Sequence, residues 1–202
     1  MIPQGGAIHH FILETFAKTG RSPALEDVRS RFDLESLQEV EAALADLARR
    51  GSIHRNSGDP FVTHAYPFSN EPTRHRVRLA AGPDVYAMCA IDALGMPFML
   101  KQDAEIASAC EQCGGDIELQ IGNGNITHKS PGEIVVWYGV IEEGCVVATD
   151  LCPDLNFFCS SKHLEAWTKE HPNRAGAMLT LDQALERGRQ SFEKLMQDPI
   201  GL

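Results

Sequence analysis

No stretch of the chain approaches the roughly 20 apolar residues that a bilayer-spanning helix requires. Its start, Met1-Ile2-Pro3-Gln4-Gly5-Gly6, lacks a basic region followed by an apolar one. The expectation is a soluble, cytoplasmic protein with no membrane partner. Positive charge is also scarce, with 18 Lys and Arg against 28 Asp and Glu and a formal charge of −10. Affinity for a nucleic-acid backbone comes from neutralising phosphates, so no nucleic-acid partner is expected. Cysteine is too sparse for a disulfide-dense secreted scaffold: there are six, at positions 89, 110, 113, 145, 152 and 159. Reduced thiols that do chemistry or bind metal are the better reading. Repeats and low-complexity tracts are absent as well.

What is present is enough for a folded core. The 202 residues, 43% of them hydrophobic, suit one domain with a smaller one appended. Ile8, Phe11, Ile12 and Phe16 fall at helical spacing ahead of Gly20, and Ser22-Pro23 reads as an N-cap with proline at the first helical position. Ser36-Leu37-Gln38-Glu39 reads as a capping box opening a helix with Leu37, Val40, Leu44 and Leu47 on one face and an end at Arg49-Arg50-Gly51. Ser52 to Arg55 and Phe61 to Thr63 flank the turn-rich Asn56-Ser57-Gly58-Asp59-Pro60, a hairpin signal. Three helices and a hairpin suggest a winged-helix-like subdomain over 1–64. Such a unit often reads DNA, but in an acidic chain a packing role is preferred.

From Thr73 the period changes. Val77 and Leu79 alternate with Arg76 and Arg78, and Ile117, Leu119 and Ile121 with Asp116, Glu118 and Gln120, which predicts half-buried strands. Ile134 to Tyr138 and Cys145 to Thr149 are apolar, β-branched runs separated by a turn at Glu142-Glu143-Gly144. Ser160 or Ser161 caps a helix through Trp167 that stops at His171-Pro172. Thr180 with Gln183 forms another capping box, ahead of a stripe of Leu181, Leu185, Phe192 and Leu195. The fold class is therefore α+β: an N-terminal helical subdomain, then a mainly antiparallel β-sheet domain over 65–202 with flanking helices.

The chemistry is concentrated in the cysteines. Cys89 and Asp92 stand three residues apart and face the same side if the segment is helical, so they can share a proton. Cys152 follows an apolar run, at a strand-end loop of the kind that displays reactive groups. Ala65-Tyr66-Pro67-Phe68-Ser69, Cys89-Ala90-Ile91-Asp92-Ala93-Leu94-Gly95-Met96-Pro97 and Asn156-Phe157-Phe158-Cys159-Ser160-Ser161 resemble segments of the organomercurial (alkylmercury) lyase family. They run in the same order, from about Ala65 to Trp167. The family's pattern of Cys, Asp three positions on, a further Cys, and a last Cys ahead of a Phe-Phe pair is met by Cys89, Asp92, Cys110 and Cys152. An N-terminal winged-helix-like portion also fits the family.

The resemblance implies protonolysis of a carbon–mercury bond to a hydrocarbon and mercuric ion, by a catalytic domain over 65–202. Cys89 and Cys152 would bind the soft mercury, and Asp92 would relay the proton. The mercuric product would rest among Cys89, Asp92 and Cys152. No resident cofactor is required, because no electrons are transferred. An external thiol would release the product, with hand-off to cellular thiols or a mercuric reductase. Organomercurial small molecules are the substrates, and a monomer is expected.

The other thiols invite plainer readings. Cys145 reads as a small core residue and Cys110 as a support for the fold, while Cys159 lies near the site. Cys110-Glu111-Gln112-Cys113 looks like half of a zinc knuckle with no second Cys-x-x-Cys pair. Cys113 is an addition to the family pattern, and zinc or mercury binding, a redox pair and a structural thiol all remain open, the structural thiol having the edge. The histidines show no metal-ligand spacing, and His163 is assigned to a helix face. The competing function is a thiol-based heavy-metal sensor or regulator whose winged helix binds DNA. Glu39, Glu41 and Asp46 on the polar side of the third helix weigh against it. A relative that kept the fold and lost the reaction is the third reading.

Overall fold

The computed structural model describes residues 5–56, 59–140 and 152–196. Burial of Ile8, Ile12 and Phe16 on one face draws α1 (Gly5–Thr19) onto the core. The second helix starts later than its sequence signal. α2 (Leu25–Arg31) is capped at Ala24, whose N–H donates to the Asp27 carboxylate at 2.9 Å. Ser22 is diverted: its hydroxyl accepts the Val62 N–H at 3.2 Å and so ties this turn to the hairpin segment. In α3 (Leu37–Arg49), Ser36 Oγ accepts the Glu39 N–H at 3.4 Å, but the Glu39 carboxylate turns to the Glu35 N–H, so only half of the expected box forms. Val40, Ala43, Leu44 and Leu47 make the buried face, and Leu37 at its edge is 39% exposed.

Basic residues at the end of α3 are tied to acids. Arg49 and Arg50 reach Asp46 at 2.7 and 2.8 Å, and Arg55 forks onto Glu41. The predicted hairpin forms with its second strand shifted along the chain. β1 (Ile53–His54) pairs with β2 (His64–Ala65), and Phe61 bridges back to Ala24 instead.

That hairpin is one edge of an eight-stranded antiparallel sheet in the order β1-β2-β3-β5-β4-β6-β7-β8. Its remaining strands are β3 (Phe68–Ser69), β4 (His75–Leu79), β5 (Asp84–Ala87), β6 (Ala104–Ala109), β7 (Asp116–Gly122) and β8 (Asn125–Ser130). Period-2 alternation sets its faces. Val77 lies opposite Val85 and Ile106, and Ile106 opposite Leu119, so the apolar residues of four strands share one buried layer. Phe16 of α1 stacks on Phe68 of β3, with ring centroids 5.2 Å apart, joining the helical portion to the sheet.

A second sheet, β10-β9-β11, is built from β9 (Val135–Gly139), β10 (Phe157–Phe158) and β11 (Gly176–Thr180). The predicted strand at Cys145–Thr149 and the turn before it lie outside the described residues. Between β10 and β11 runs α5 (Ser161–Glu170), which Ser160 caps by accepting the His163 N–H at 3.3 Å. α6 (Leu181–Phe192) opens with both capping-box bonds, Gln183 N–H to Thr180 at 3.3 Å and Thr180 N–H to Gln183 at 2.9 Å. No helix among the described residues is long and apolar enough to cross a membrane.

The helix that positions the site is α4 (Ala90–Leu100), apolar except for Asp92 and buried on nearly every side. It crosses α6 at a glycine pair. A Cβ on Gly95 would stand 2.9 Å from the Gly188 carbonyl oxygen, and one on Gly188 2.8 Å from the Gly95 nitrogen. Only hydrogen at both positions allows the backbones to approach this closely.

Candidate active site

Cys89 is the N-cap of α4. Its extended backbone (φ −152°) ends the approach from β5, and its sulfur accepts the Asp92 N–H at 3.4 Å. Asp92 therefore occupies the first turn of a helix whose exposed N–H groups and positive dipole end favour an anionic group. Cys152 arrives from sixty positions beyond Asp92 and opens a single 3-10 turn, Cys152–Asp154. Backbone bonds seat that arm. Leu155 N–H donates to the Cys152 carbonyl at 3.1 Å, Ala90 N–H to the Leu155 carbonyl at 2.8 Å, and Trp137 N–H to the Asn156 carbonyl at 3.0 Å. The start of α4, the Cys152 turn and β9 are thereby stitched together.

The three predicted site residues meet. The two sulfurs and a carboxylate oxygen all lie within 4.8 Å of one another, and the Cys152 thiol reaches Asp92 Oδ2 at 3.8 Å. Cys89 and Asp92 are wholly buried and Cys152 is 2% exposed. Asp92 Oδ1 is buried without a hydrogen-bond partner among the described residues, an acceptor that costs free energy until something satisfies it.

Burial governs the protonation of the site, because a low-dielectric setting penalises charge. It lifts the Asp92 carboxyl from an ordinary 3.8 to about 8, against the opposing pull of the neighbouring Cys89, Tyr66 and Cys152 groups. Burial also raises Cys89 well above the usual thiol range, and Cys152 and Asp92 add to the effect. Cys152 is pulled down by Cys89, but burial and Asp92 outweigh this and leave it raised. At neutral pH the trio is thus an uncharged, proton-loaded site.

Tyr66 completes the surroundings. Burial holds its phenol protonated, reinforced by Asp92, Cys89 and Cys152, and its ring packs on Phe192 of α6 with centroids 4.9 Å apart. Sequence reasoning gave Tyr66 no role. The only signal for it was its place in the Ala65–Ser69 motif.

The other cysteines separate from this trio. Cys110, Cys113, Cys159 and His163 form a second group with donor atoms within 4.8 Å of one another. No second Cys-x-x-Cys pair stands in the sequence beside Cys110 and Cys113, and the fold instead brings Cys159 and His163 to them from a distant part of the chain. Burial pushes the Cys110 thiol up, but the Cys159 N–H and the His163 ring pull it down to about 6, while burial and the two other thiols push Cys159 up to about 12. Cys145 lies outside the described residues. Two of the other histidines are interior: His9 is 7% exposed, and His75, 2% exposed, bonds Ser108 Oγ at 2.9 Å.

Residues 68–193, more than half of the chain and spanning both cysteine groups, match the family model of alkylmercury lyase. The chain belongs to the alkylmercury lyase family. Among family members, the alkylmercury lyase of Bacillus cereus is 30% identical over 118 residues, covering 58% of this chain and 53% of the relative. That of Staphylococcus epidermidis is 29% identical over 124 residues, covering 61% and 56%. The chain thus spans about half the length of the curated relatives it matches. The solved mercury-bound form of MerB2 superposes with a TM-score of 0.79 at 26% identity, over 96% of this chain and 93% of that one. The family's fold therefore extends through the N-terminal helices, which the family model does not reach.

Proposed function

We propose that the chain is an organomercurial lyase in which Cys89 and Cys152 bind mercury and Asp92 relays the proton that releases the hydrocarbon. The observation that carries this reading is the meeting of two buried thiols and a buried carboxyl, all within 4.8 Å, with the carboxyl's proton held to about pH 8. Membership of the family and the mercury bound to MerB2 support it.

The substrate is an alkyl- or arylmercury cation carried as a thiol adduct, R–Hg–SR′. Soft mercury exchanges its carrier thiolate for those of the enzyme. One enzyme thiol's proton leaves with R′SH and the other's passes through Asp92 to the carbon. The carbon–mercury electron pair stays with carbon and takes up that proton, so R–H departs and mercuric ion remains bridged by Cys89 and Cys152. Two thiol protons are consumed, one for each released group, and nothing is oxidised or reduced. A carboxyl whose pKa lies near the working pH can both give and take a proton, which suits Asp92 to the relay. Burial keeps water from competing for the proton and strengthens each charge interaction.

Product release to an external thiol, with onward passage to cellular thiols or a mercuric reductase, belongs to the same reading. So do a monomeric state, a cytoplasmic location and a division at residue 64 between a winged-helix-like packing unit and the catalytic part. The Asp46 and Glu41 ion pairs that occupy Arg49, Arg50 and Arg55 favour packing over DNA binding for that unit.

The test is benzene release from phenylmercury by purified protein in excess thiol, beside Cys89→Ser and Asp92→Ala. Turnover in the parent and its loss in both variants is expected. Stoichiometric mercury binding without benzene would overturn the lyase reading.

A further inference from the structure

The second cysteine group stands apart from the Cys89–Asp92–Cys152 trio and plays no part in the mechanism above. Cys110-Glu111-Gln112-Cys113-Gly114-Gly115 makes the turn from β6 to β7. It is closed by Gly114 N–H to the Cys110 carbonyl and Cys110 N–H to the Gly115 carbonyl, both at 2.8 Å. Gly114 adopts φ +69°, a conformation that side chains resist, so the tight knuckle depends on glycine there. Facing it are Cys159, just past β10, and His163 in the first turn of α5, whose start the Ser160 cap fixes.

Two of the donor pairs already stand at the spacing of a tetrahedral ion. Zinc bonds of about 2.3 Å to sulfur and about 2.0–2.1 Å to nitrogen set sulfur–sulfur edges of about 3.8 Å and sulfur–nitrogen edges of about 3.6 Å. Cys113 Sγ and Cys159 Sγ are 3.7 Å apart, and Cys110 Sγ and His163 Nδ1 are 3.6 Å apart. Cys159 Sγ and His163 Nδ1 at 3.0 Å form a direct hydrogen bond, which would open by about half an ångström on an ion of that size. Backbone donors already point at the sulfurs, Cys159 N–H at Cys110 and Gly115 N–H at Cys113, each at 3.4 Å. Such bonds favour thiolate over thiol.

We infer that Cys110, Cys113, Cys159 and His163 form a tetrahedral zinc site, separate from the mercury-binding trio. Three thiolates and one imidazole are a closed structural zinc set with no position left for substrate. Binding takes Zn²⁺ and the three cysteines to a zinc trithiolate, each cysteine that is still a thiol giving up its proton, and no electrons move. The ion would link the β6–β7 turn of the large sheet to the end of β10 in the small one. Cys152 lies on the same arm as Cys159, so this staple holds in place the segment that delivers the second mercury ligand. The inference does not depend on the lyase reading.

Metal content tests it directly. Full-length protein purified from zinc-supplied culture and desalted should carry one zinc per chain by elemental analysis. Cobalt supplied to the metal-stripped protein should give the visible bands of a tetrahedral ion together with thiolate charge transfer. Cys113→Ser and His163→Gln should lose both signals, while Cys89→Ser and Cys152→Ser keep them. Absence of zinc combined with absence of tetrahedral cobalt bands would overturn the inference. So would loss of the metal in Cys89→Ser or Cys152→Ser with retention in Cys113→Ser, or binding of mercuric ion at these four residues but of neither zinc nor cobalt.

Discussion

Replacing Asp92 with Asn should make the protein increasingly more stable than its parent as pH rises from about 4 to about 8. Burial holds the folded carboxyl's pKa near 8, whereas the ordinary value is 3.8. Between those limits the folded chain keeps a proton that the unfolded chain gives up. The folded state therefore binds more protons, and parent stability falls with pH. The slope is about 1.4 kcal/mol per pH unit, so the gap between the Asp92→Asn variant and the parent should widen by about 2.7 kcal/mol from pH 5 to pH 7 and level off above about 8. Asn has nearly the same shape and never ionises, so it carries no such term. The assay is urea unfolding of both proteins at half-unit pH steps, plotting the difference in stability. The difference cancels groups common to both, including His9 and His75, whose pKa values burial lowers to about 4 and about 3. Those two impose the opposite slope, costing stability as pH falls below about 6.5. A flat difference from pH 5 to 7 would mean that Asp92 ionises normally in the folded state, and the account of a proton held in reserve for carbon would fail.

Two further substitutions probe the frame around the site. Gly95→Ala would put a methyl 2.1 Å from Phe192 Cδ2 and 2.9 Å from the Gly188 carbonyl oxygen. Overpacking of this kind costs about 1–3 kcal/mol, and in a chain of this size each kcal/mol lowers Tm by about 2–4 °C. Because Phe192 also packs on Tyr66 beside the trio, activity should fall with stability. Gly132→Ala, with nothing within 4 Å, is the control, and equal melting temperatures for the two would contradict the tight α4–α6 crossing. Thr180→Ala should cost about 1 kcal/mol through loss of the α6 cap, and Thr180→Ser should restore it. Indistinguishable thermal melts for Ala and Ser at this position would remove the cap from the account of α6.

How much was legible beforehand follows from the range of each interaction. Alternation in 76–79 and 116–121 predicted strands because one face is buried, and burial alternates along both β4 and β7 as expected. The Thr180–Gln183 capping box was legible because both of its bonds lie within four residues. Ser22 was misjudged as a cap, and the Ser36 cap formed with only half of its box, because another partner competed: Val62 took the Ser22 hydroxyl, and Glu35 took the Glu39 carboxylate. β5, β6, β8 and β11 carried too little pattern to be assigned, and their place in the sheets is set by neighbouring strands.

The sequence by itself determined which side chains carry groups suited to the proposed chemistry. Cys89 and Asp92 stood out as candidates by their spacing, since a helix start fixes what lies three positions apart, and Cys152 by its place in the motif. Tertiary structure alone decided what those residues meet. Bringing Cys152 onto Asp92 from sixty positions away depends on the Ala90–Leu155 and Trp137–Asn156 backbone bonds, and raising the carboxyl to about 8 depends on complete burial. Likewise the Cys110 knuckle lacked two ligands in the linear sequence and gained Cys159 and His163 only when the end of β10 and the start of α5 packed against it. Desolvation and long-range contact act in space, and neither is written in local residue order.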